Sequence, residues 1–160
     1  MKSVMIIYLL LLGMAIGVEV AVGAFIAPVI FYPHTFLGQG VLSHFQSGIL
    51  MTQVFLKSNM MFLIVAIYSV SFESFSWFIQ KRKERVSFSL AFLSLGLTVF
   101  FVWYYTPYIV EAQLQGALAT TTESFYTMHK QSEWVMKALL LVQGSLFFRR
   151  MWVLQKGEKK

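Results

Sequence analysis

The sequence predicts an all-α protein, an integral membrane bundle of four transmembrane helices with both the N-terminus and the C-terminus in the cytoplasm. Hydrophobic residues make up 58% of the 160 residues and charged residues only 12%, which is roughly half the charged fraction of a soluble domain. The hydrophobic residues also gather into four segments that reach the ~20 residues needed to cross a bilayer. We expect one domain over residues 1–160, with helices over residues 4–32, 45–80, 86–110 and 121–153.

The first helix carries a carboxylate deep in its apolar segment. Glu19 lies about 14 residues from the inner end, which corresponds to ~21 Å along the helix. A charged carboxylate at that depth costs at least ~2–3 kcal/mol, so Glu19 should be paired, protonated or in contact with water. Pro28 should kink the helix near its outer end. Residues 1–24 also have features of a cleaved signal peptide, but the apolar run continues through Phe31, which favours a membrane span.

Small residues recur along the first helix at the spacing that lets membrane helices approach closely. Gly13 and Gly17 form a GxxxG pair, and Gly23 with Ala27 repeats the small-xxx-small spacing. Such pairs favour helix packing in membranes. They predict close packing within the bundle, and the face of Gly13 and Gly17 is also the candidate surface for docking on another membrane protein.

The second and fourth helices should begin outside the bilayer. Ser43-x-x-Gln46 and Thr120-x-x-Glu123 both have the spacing of a capping box, in which a hydroxyl and an acceptor three residues later satisfy the first free amides of a helix. Each motif precedes the apolar segment by several residues, so the two helices should extend beyond the membrane on the external side.

The end of the third helix is marked by a proline and a glycine. Pro107 should bend or end the helix, because it lacks an amide hydrogen and its ring clashes with the preceding turn. Gly116 should then form the turn that leads into the fourth helix.

The basic residues set the predicted orientation. Of the thirteen Lys and Arg residues, all but Lys57, Lys130 and Lys137 fall on the side shared by the N-terminus, the middle loop and the C-terminus. This asymmetry over short loops is typical of cytoplasmic segments. The residues on that side are Lys2, Lys81, Arg82, Lys83, Arg85, Arg149, Arg150, Lys156, Lys159 and Lys160.

Two carboxylates are candidate partners for Lys137. Lys137 lies about 12 residues, or ~18 Å, above Arg149, which matches the depth of Glu19 within one helical turn and allows an interhelical pair. Alternatively, Glu133 precedes Lys137 by four residues, so the two can pair within one helix near the outer interface.

The three histidines of the chain all fall on the external side. His34, His44 and His129 are candidate metal or haem ligands, and nearby methionines would add soft sulfur for copper. Their spacing is not that of a known metal motif. Histidines at the membrane interface and methionines that fill gaps in the core are the alternative interpretation.

The sequence offers little for catalysis or for nucleic-acid binding. It contains no cysteine and no aspartate, which excludes disulfides, thiolate chemistry and aspartate-based phosphoryl transfer. The positive charge follows the predicted topology and lacks the interleaved aromatics of a nucleic-acid surface. We therefore expect a protein that is not an enzyme and does not bind nucleic acid.

Two stretches resemble the uncharacterised membrane family that includes transmembrane protein 205. The first is Gly23-Ala24-Phe25-Ile26-Ala27-Pro28-Val29-Ile30-Phe31 with Gly40 and Gly48, and the second runs from Pro107 through Gly116 to Phe125-x-x-Met128-His129-x-x-Ser132. The resemblance implies a four-helix membrane bundle in which Pro28, Phe31, His129 and Ser132 are family positions. Distantly similar four-helix proteins include copper-resistance and haem-related membrane proteins, which adds to the metal hypothesis by analogy alone.

The predicted function is to bind, or to help move, a small molecule or a metal ion at the external side of the cell membrane, which is the inner membrane in a bacterium. The alternative is a structural or assembly subunit, with the lipid bilayer, a second copy or another membrane protein as partner. A ligand would lie between the first, second and fourth helices near their external ends. The same residues could instead form a static polar network. They are Glu19, Pro28, Phe31, Gln53, His129, Ser132 and Lys137.

Overall fold

The computed structural model describes residues 2–38, 40–78 and 84–158. The prediction of an all-α protein is confirmed, since these residues form helices joined by short turns and include no strand. Five of the cations on which the predicted orientation depends, Lys81, Arg82, Lys83, Lys159 and Lys160, lie outside the described residues. The helices are α1 (Lys2–Val20), α2 (Ala27–Phe31), α3 (His34–Leu37), α4 (His44–Phe78), α5 (Arg85–Phe100), α6 (Thr106–Leu114) and α7 (Glu123–Glu158).

Three helical segments are long and apolar enough to cross a membrane, as expected of a multi-pass membrane protein. They are Ser3–Phe31, His44–Phe78 and Arg85–Leu114. The last helix, α7, is longer than any of these but does not share their apolar composition, because Lys137, Arg149 and Arg150 fall within its predicted span.

The four long helical segments form a ring. α4 packs against α1 and α5, and α7 packs against the same two helices from the other side. The core lies towards the end where the chain starts, where Tyr8, Leu12 and Ala15 of α1 meet Phe62 of α4 and Leu146 of α7. We call this part the inner half and the opposite part the outer half.

The inner half contains a fully buried ion pair between α4 and α7. Glu73 and Arg150 are each only 1% exposed. The Nε atom of Arg150 donates to Oε1 of Glu73 at 2.6 Å, and Nη2 donates to Oε2. The Tyr8 hydroxyl donates to Oε1 from 3.4 Å. Arg150, which the charge pattern assigned to a cytoplasmic segment, is thus part of the bundle interior.

Each of the two interior prolines follows a π-helical turn. Residues Ala21–Ile26 form the first turn, in which the Ala27 amide donates to the Val22 carbonyl. Residues Phe101–Tyr105 form the second, in which the Thr106 amide donates to the Phe101 carbonyl. Pro28 and Pro107 each lack the amide hydrogen that would bond to the carbonyl four residues earlier. The wider π turn accommodates this missing hydrogen bond. Helical structure therefore continues past each proline, as α2 and as α6, rather than ending there.

The two predicted capping boxes differ in outcome. The first is confirmed, because the Ser43 amide donates to Oε1 of Gln46 at 2.8 Å and the Gln46 amide donates to the Ser43 hydroxyl at 3.2 Å. The second is wrong. Thr120 lies in a 3-10 turn, and the hydroxyl of Thr122 accepts from the Phe125 amide at 3.2 Å. Thr122 therefore caps α7, two residues later than predicted.

Gly116 ends α6 as the sequence predicts. Its φ angle is 101°, a left-handed conformation that costs little only for glycine. The turn reverses the chain between α6 and the 3-10 segment Ala117–Thr121 that leads into α7.

Candidate functional site

The outer half of the bundle encloses a cavity of about 470 Å³. It lies between the first helical segment, α4, the segment formed by α5 and α6, and α7. Most of its walls are apolar, with Phe31, Phe55, Phe101 and Phe125 supplying one aromatic ring from each side. A volume of this size is within the range of small-molecule sites.

The π turns align the lining residues along two of the walls. Glu19, Gly23, Ala27 and Phe31 all line the cavity at a constant spacing of four residues. In an uninterrupted α-helix each such step rotates the side chain by about 40°, so Phe31 would point about 120° away from Glu19. The π turn at Ala21–Ile26 offsets this drift.

The opposite wall shows the same effect. Phe101 and Thr106 line the cavity five residues apart across the second π turn, and Ile109 and Gln113 follow at ordinary α-helical spacing. Both interruptions thus turn a helix so that one continuous face meets the cavity.

Glu19 lies at the inner, buried end of the cavity. The residue is 6% exposed, and neither carboxylate oxygen has a hydrogen-bond partner among the described residues. The predicted pair with Lys137 is not formed. Lys137 instead contacts Glu133 at 3.5 Å, because one turn of the same helix brings their side chains together near the surface.

The polar side chains around Glu19 are largely satisfied within the protein. The Gln113 amide donates to the Thr52 hydroxyl at 2.9 Å, and that hydroxyl donates to the Gly48 carbonyl at 3.0 Å. The Ser132 hydroxyl donates to the His129 carbonyl at 2.6 Å. Ser132 therefore lines the cavity but bonds to its own helix rather than to the imidazole of His129.

A row of charged and polar side chains on α7 borders the cavity. His129, Glu133 and Lys137 recur every four residues, and Glu133 contacts both neighbours, with its Oε1 at 3.4 Å from Nε2 of His129. All three line the cavity, and their side chains are between 44% and 60% exposed. The row therefore lies at the rim, where the cavity meets the surface.

The rim opens between the first helical segment and α7. These two segments pack together in the inner half, where a Cβ at Gly13 would lie 3.6 Å from the Phe147 ring. In the outer half, α7 has no comparable contact with the described residues of the first π turn or α2. Gly23 and Ala27 occupy that stretch and have small or no side chains, so they leave the cavity open on this side.

The predicted site residues fall into two groups. Glu19, Phe31, His129, Ser132 and Lys137 line one cavity. Pro28 borders a smaller adjoining cavity on the other side of α2. Gln53 is exposed on α4, because its neighbour Thr52 takes the position that faces inwards.

Sequence reasoning missed Gln113, a polar residue that lines the cavity, and Asn59, a buried partner of the lining residue Thr106. The predicted helix bounds placed Gln113 in the external loop after residue 110. It lies instead on α6, seven residues after Thr106 and on the same face of the helix as Thr106. Asn59 of α4 donates to the Thr106 hydroxyl at 3.2 Å. The helical spacing of Thr106 and Gln113 was the signal that could have found this face.

The three histidines do not come together. Among the described residues, no group of three His, Cys, Asp or Glu side chains has the arrangement of a metal site. His34 lies against Tyr32, and His44 against Phe31. His129 stacks on Phe125 in α7. Each imidazole is thus held by an aromatic neighbour from a different part of the external surface.

The outer parts of α4 and α7 are separated by the cavity. Phe45 and Thr52 of α4 face Phe125 and Met136 of α7 across it. The sulfur of Met128 on α7 lies 4.0 Å from the Tyr104 hydroxyl. The aromatic and sulfur-containing side chains of these helices therefore line an open space rather than fill it.

Comparison with known proteins yields one match. A family model described as Domain of unknown function (DUF4149) matches residues 10–118. The matched region includes Glu19, Thr52 and Gln113 but ends before α7 and its row of polar residues. No curated protein and no solved structure matches the chain.

Proposed function

We propose that this chain, which belongs to the DUF4149 family of domains of unknown function, binds a lipophilic small molecule in the cavity of its outer half. In this proposal the chain spans the cell membrane four times as one domain, with both ends in the cytoplasm and the cavity towards the external side. It is also a relative of the family that includes transmembrane protein 205, on the two resemblances described above.

The single observation that carries the proposal is the cavity itself. A volume of about 470 Å³ with five phenylalanine rings in largely apolar walls is typical of a binding site for an apolar ligand. Protein interiors are close-packed, and a space of this size lowers stability because each lining side chain loses dispersion contacts.

The position of the rim indicates the route of entry. The gap between α2 and α7 faces sideways from the bundle, so a ligand dissolved in the outer leaflet reaches the cavity without crossing water. Tyr126 and Trp134 are more than half exposed on the same helix as the rim, and such side chains prefer the headgroup level of a bilayer.

Two ion pairs support a fourth span despite the charges of α7. Arg150 is paired with Glu73 inside the bundle, and Arg149 contacts Glu84 at 2.8 Å at the start of α5. Paired cations of this kind are tolerated near the ends of membrane helices, because neither charge faces the hydrocarbon alone.

A second candidate function is that of an assembly subunit. A Cβ at Gly17 would meet no atom within 4 Å, so this glycine does not serve packing within the bundle. With the exposed side chains of Leu10 and Met14, it leaves a surface against which a helix of another membrane protein, or of a second copy, can lie closely.

A photoactivatable analogue of decanol tests the binding function. In lipid nanodiscs, we expect saturable labelling of residues that line the cavity. Gly23→Leu should lower this labelling about tenfold, equivalent to ~1.4 kcal/mol of lost contact, because the new side chain projects into open space at the rim. Labelled peptides are identified by mass spectrometry.

Gly17→Leu is the matched control, because it adds the same side chain to the same helix at a place that is also open but does not line the cavity. It should leave the labelling unchanged. Labelling that never saturates and is spread evenly over lipid-facing residues would refute the binding function. Loss of a stoichiometric membrane partner on Gly17→Leu would favour the assembly role instead.

A further inference from the structure

Two acidic side chains and one lysine line the cavity. They are Glu19, Glu133 and Lys137. Glu133 and Lys137 contact each other at the exposed rim and largely offset each other's field. Glu19, at the buried end, is the acidic group that has no partner among the described residues.

The hydroxyl donors of the cavity wall are already used. The hydroxyls of Thr52, Thr106 and Ser132 each donate to a main-chain carbonyl of their own helical segment. The Gln113 amide nitrogen donates to Thr52. A ligand in the cavity therefore meets no free hydroxyl donor from these three residues.

Acceptors, by contrast, are left without partners. Both oxygens of Glu19 are buried and unpartnered among the described residues. Leaving buried acceptors unpartnered is costly, and a carboxylate is the most costly of them. A group that brings its own donors and a positive charge would satisfy both oxygens.

The aromatic walls add to this preference. Phe55 and Phe101 lie side by side, with ring centroids 5.6 Å apart, and both line the cavity. The faces of such rings attract cations and repel anions through their quadrupole. An anionic ligand would gain no such attraction from these rings and would meet the unpartnered acidic group of Glu19 at the buried end.

We infer that the ligand of this cavity is a lipophilic amine, whose protonated nitrogen pairs with the Glu19 carboxylate while its apolar chain extends between the phenylalanines towards the rim. The inference rests on the proposed binding function and specifies the chemical class of ligand. Glu19 supplies the counter-charge, and the ammonium group supplies the donors that the protein lacks there.

Three photoactivatable probes with the same decyl chain test the class of ligand: the amine, the alcohol and the carboxylate. In nanodiscs we expect the amine to label the cavity at concentrations at least about tenfold lower than the alcohol, as for a charge-assisted hydrogen bond in a desolvated site. The carboxylate should label least. Competition of unlabelled decylamine against the alcohol probe measures the same preference without any variant.

Glu19→Gln should reduce the preference for the amine over the alcohol, with both probes measured in the same variant, to less than about threefold. Glu133→Gln is the matched control, because this carboxylate also lines the cavity but is half exposed and already paired with Lys137. It should change labelling by the amine less than about threefold, as expected of an exposed pair.

The outcomes separate this inference from the function on which it rests. Equal labelling by amine and alcohol, or tighter labelling by the carboxylate, overturns the assignment to amines but leaves a binding cavity. Failure of all three probes to give saturable labelling overturns both. An unchanged preference in Glu19→Gln overturns the role of Glu19.

Discussion

Removing the charge of Glu73 tests how the inner half of the bundle is held together. Glu73→Gln leaves Arg150 as an uncompensated cation at a position that is 1% exposed. The variant keeps one acceptor oxygen, so it loses the negative charge and one of the two hydrogen bonds from Arg150, a bond worth ~1.5–3 kcal/mol. We expect the free energy of unfolding to fall by about 3–5 kcal/mol, the usual cost of breaking a buried pair.

The double variant Glu73→Leu/Arg150→Met should be much more stable than the single substitution Arg150→Met. Replacing both charges with apolar side chains of similar size removes the desolvation cost together with the attraction, so the net change is expected within ~1–2 kcal/mol. Titration with sodium dodecyl sulfate, followed by circular dichroism, measures the free energy of unfolding of each variant in mixed micelles.

Arg149→Met is the matched control for this cycle. Arg149 pairs with Glu84, but their side chains are about one-third exposed, at 31% and 32%. The free energy of unfolding of Arg149→Met should therefore fall by at most ~1 kcal/mol. The reasoning is refuted if Glu73→Gln costs no more than this control, or if the double variant is no more stable than Arg150→Met alone.

Two further predictions concern orientation and helix capping. Leu118 is 86% exposed beside α7, so a membrane-impermeant maleimide should label Leu118→Cys on intact cells. The same reagent should not label Arg85→Cys. Reversed accessibility of the two positions would overturn the predicted topology. Ser43→Ala should reduce hydrogen-exchange protection over the first turn of α4 by the equivalent of ~0.5–2 kcal/mol. Ser145→Ala is the control, because the Ser145 hydroxyl only donates to its own helix, and it should leave protection of that turn unchanged. Equal protection of the turn in both variants would count against the capping role of Ser43.

The all-helical fold was readable from the sequence because it depends on composition and on long apolar runs. Ser43 and Gln46 likewise act within three residues of each other, and local bonds of this kind follow from spacing. Thr120 and Thr122 show the limit of the same rule. Three consecutive threonines precede α7, and the 3-10 turn after Gly116 decides which of them becomes the cap.

Interactions between segments that are distant in the chain were harder to predict from the sequence. Arg150 carries the same charge as its neighbour Arg149, and only the position of Glu73, seventy-seven residues earlier, determines which of the two is buried. The choice of Thr52 over Gln53 as the inward residue of α4 depends in the same way on Gln113 across the bundle. Spacing along one helix carries no information about such partners.

The π turn before Pro28 makes the number of residues in the first helix as important as their identity. Between Glu19 and Phe31 the chain has one residue more than a regular α-helix would need to bring both side chains to the same face. Deleting a single residue from Ala21–Ile26 would restore regular winding and leave Phe31 on the face of Glu19, whereas deleting a second residue would swing every later side chain by about 100°. Evolution can therefore shorten this wall by one residue and keep its face towards the cavity, but not by two.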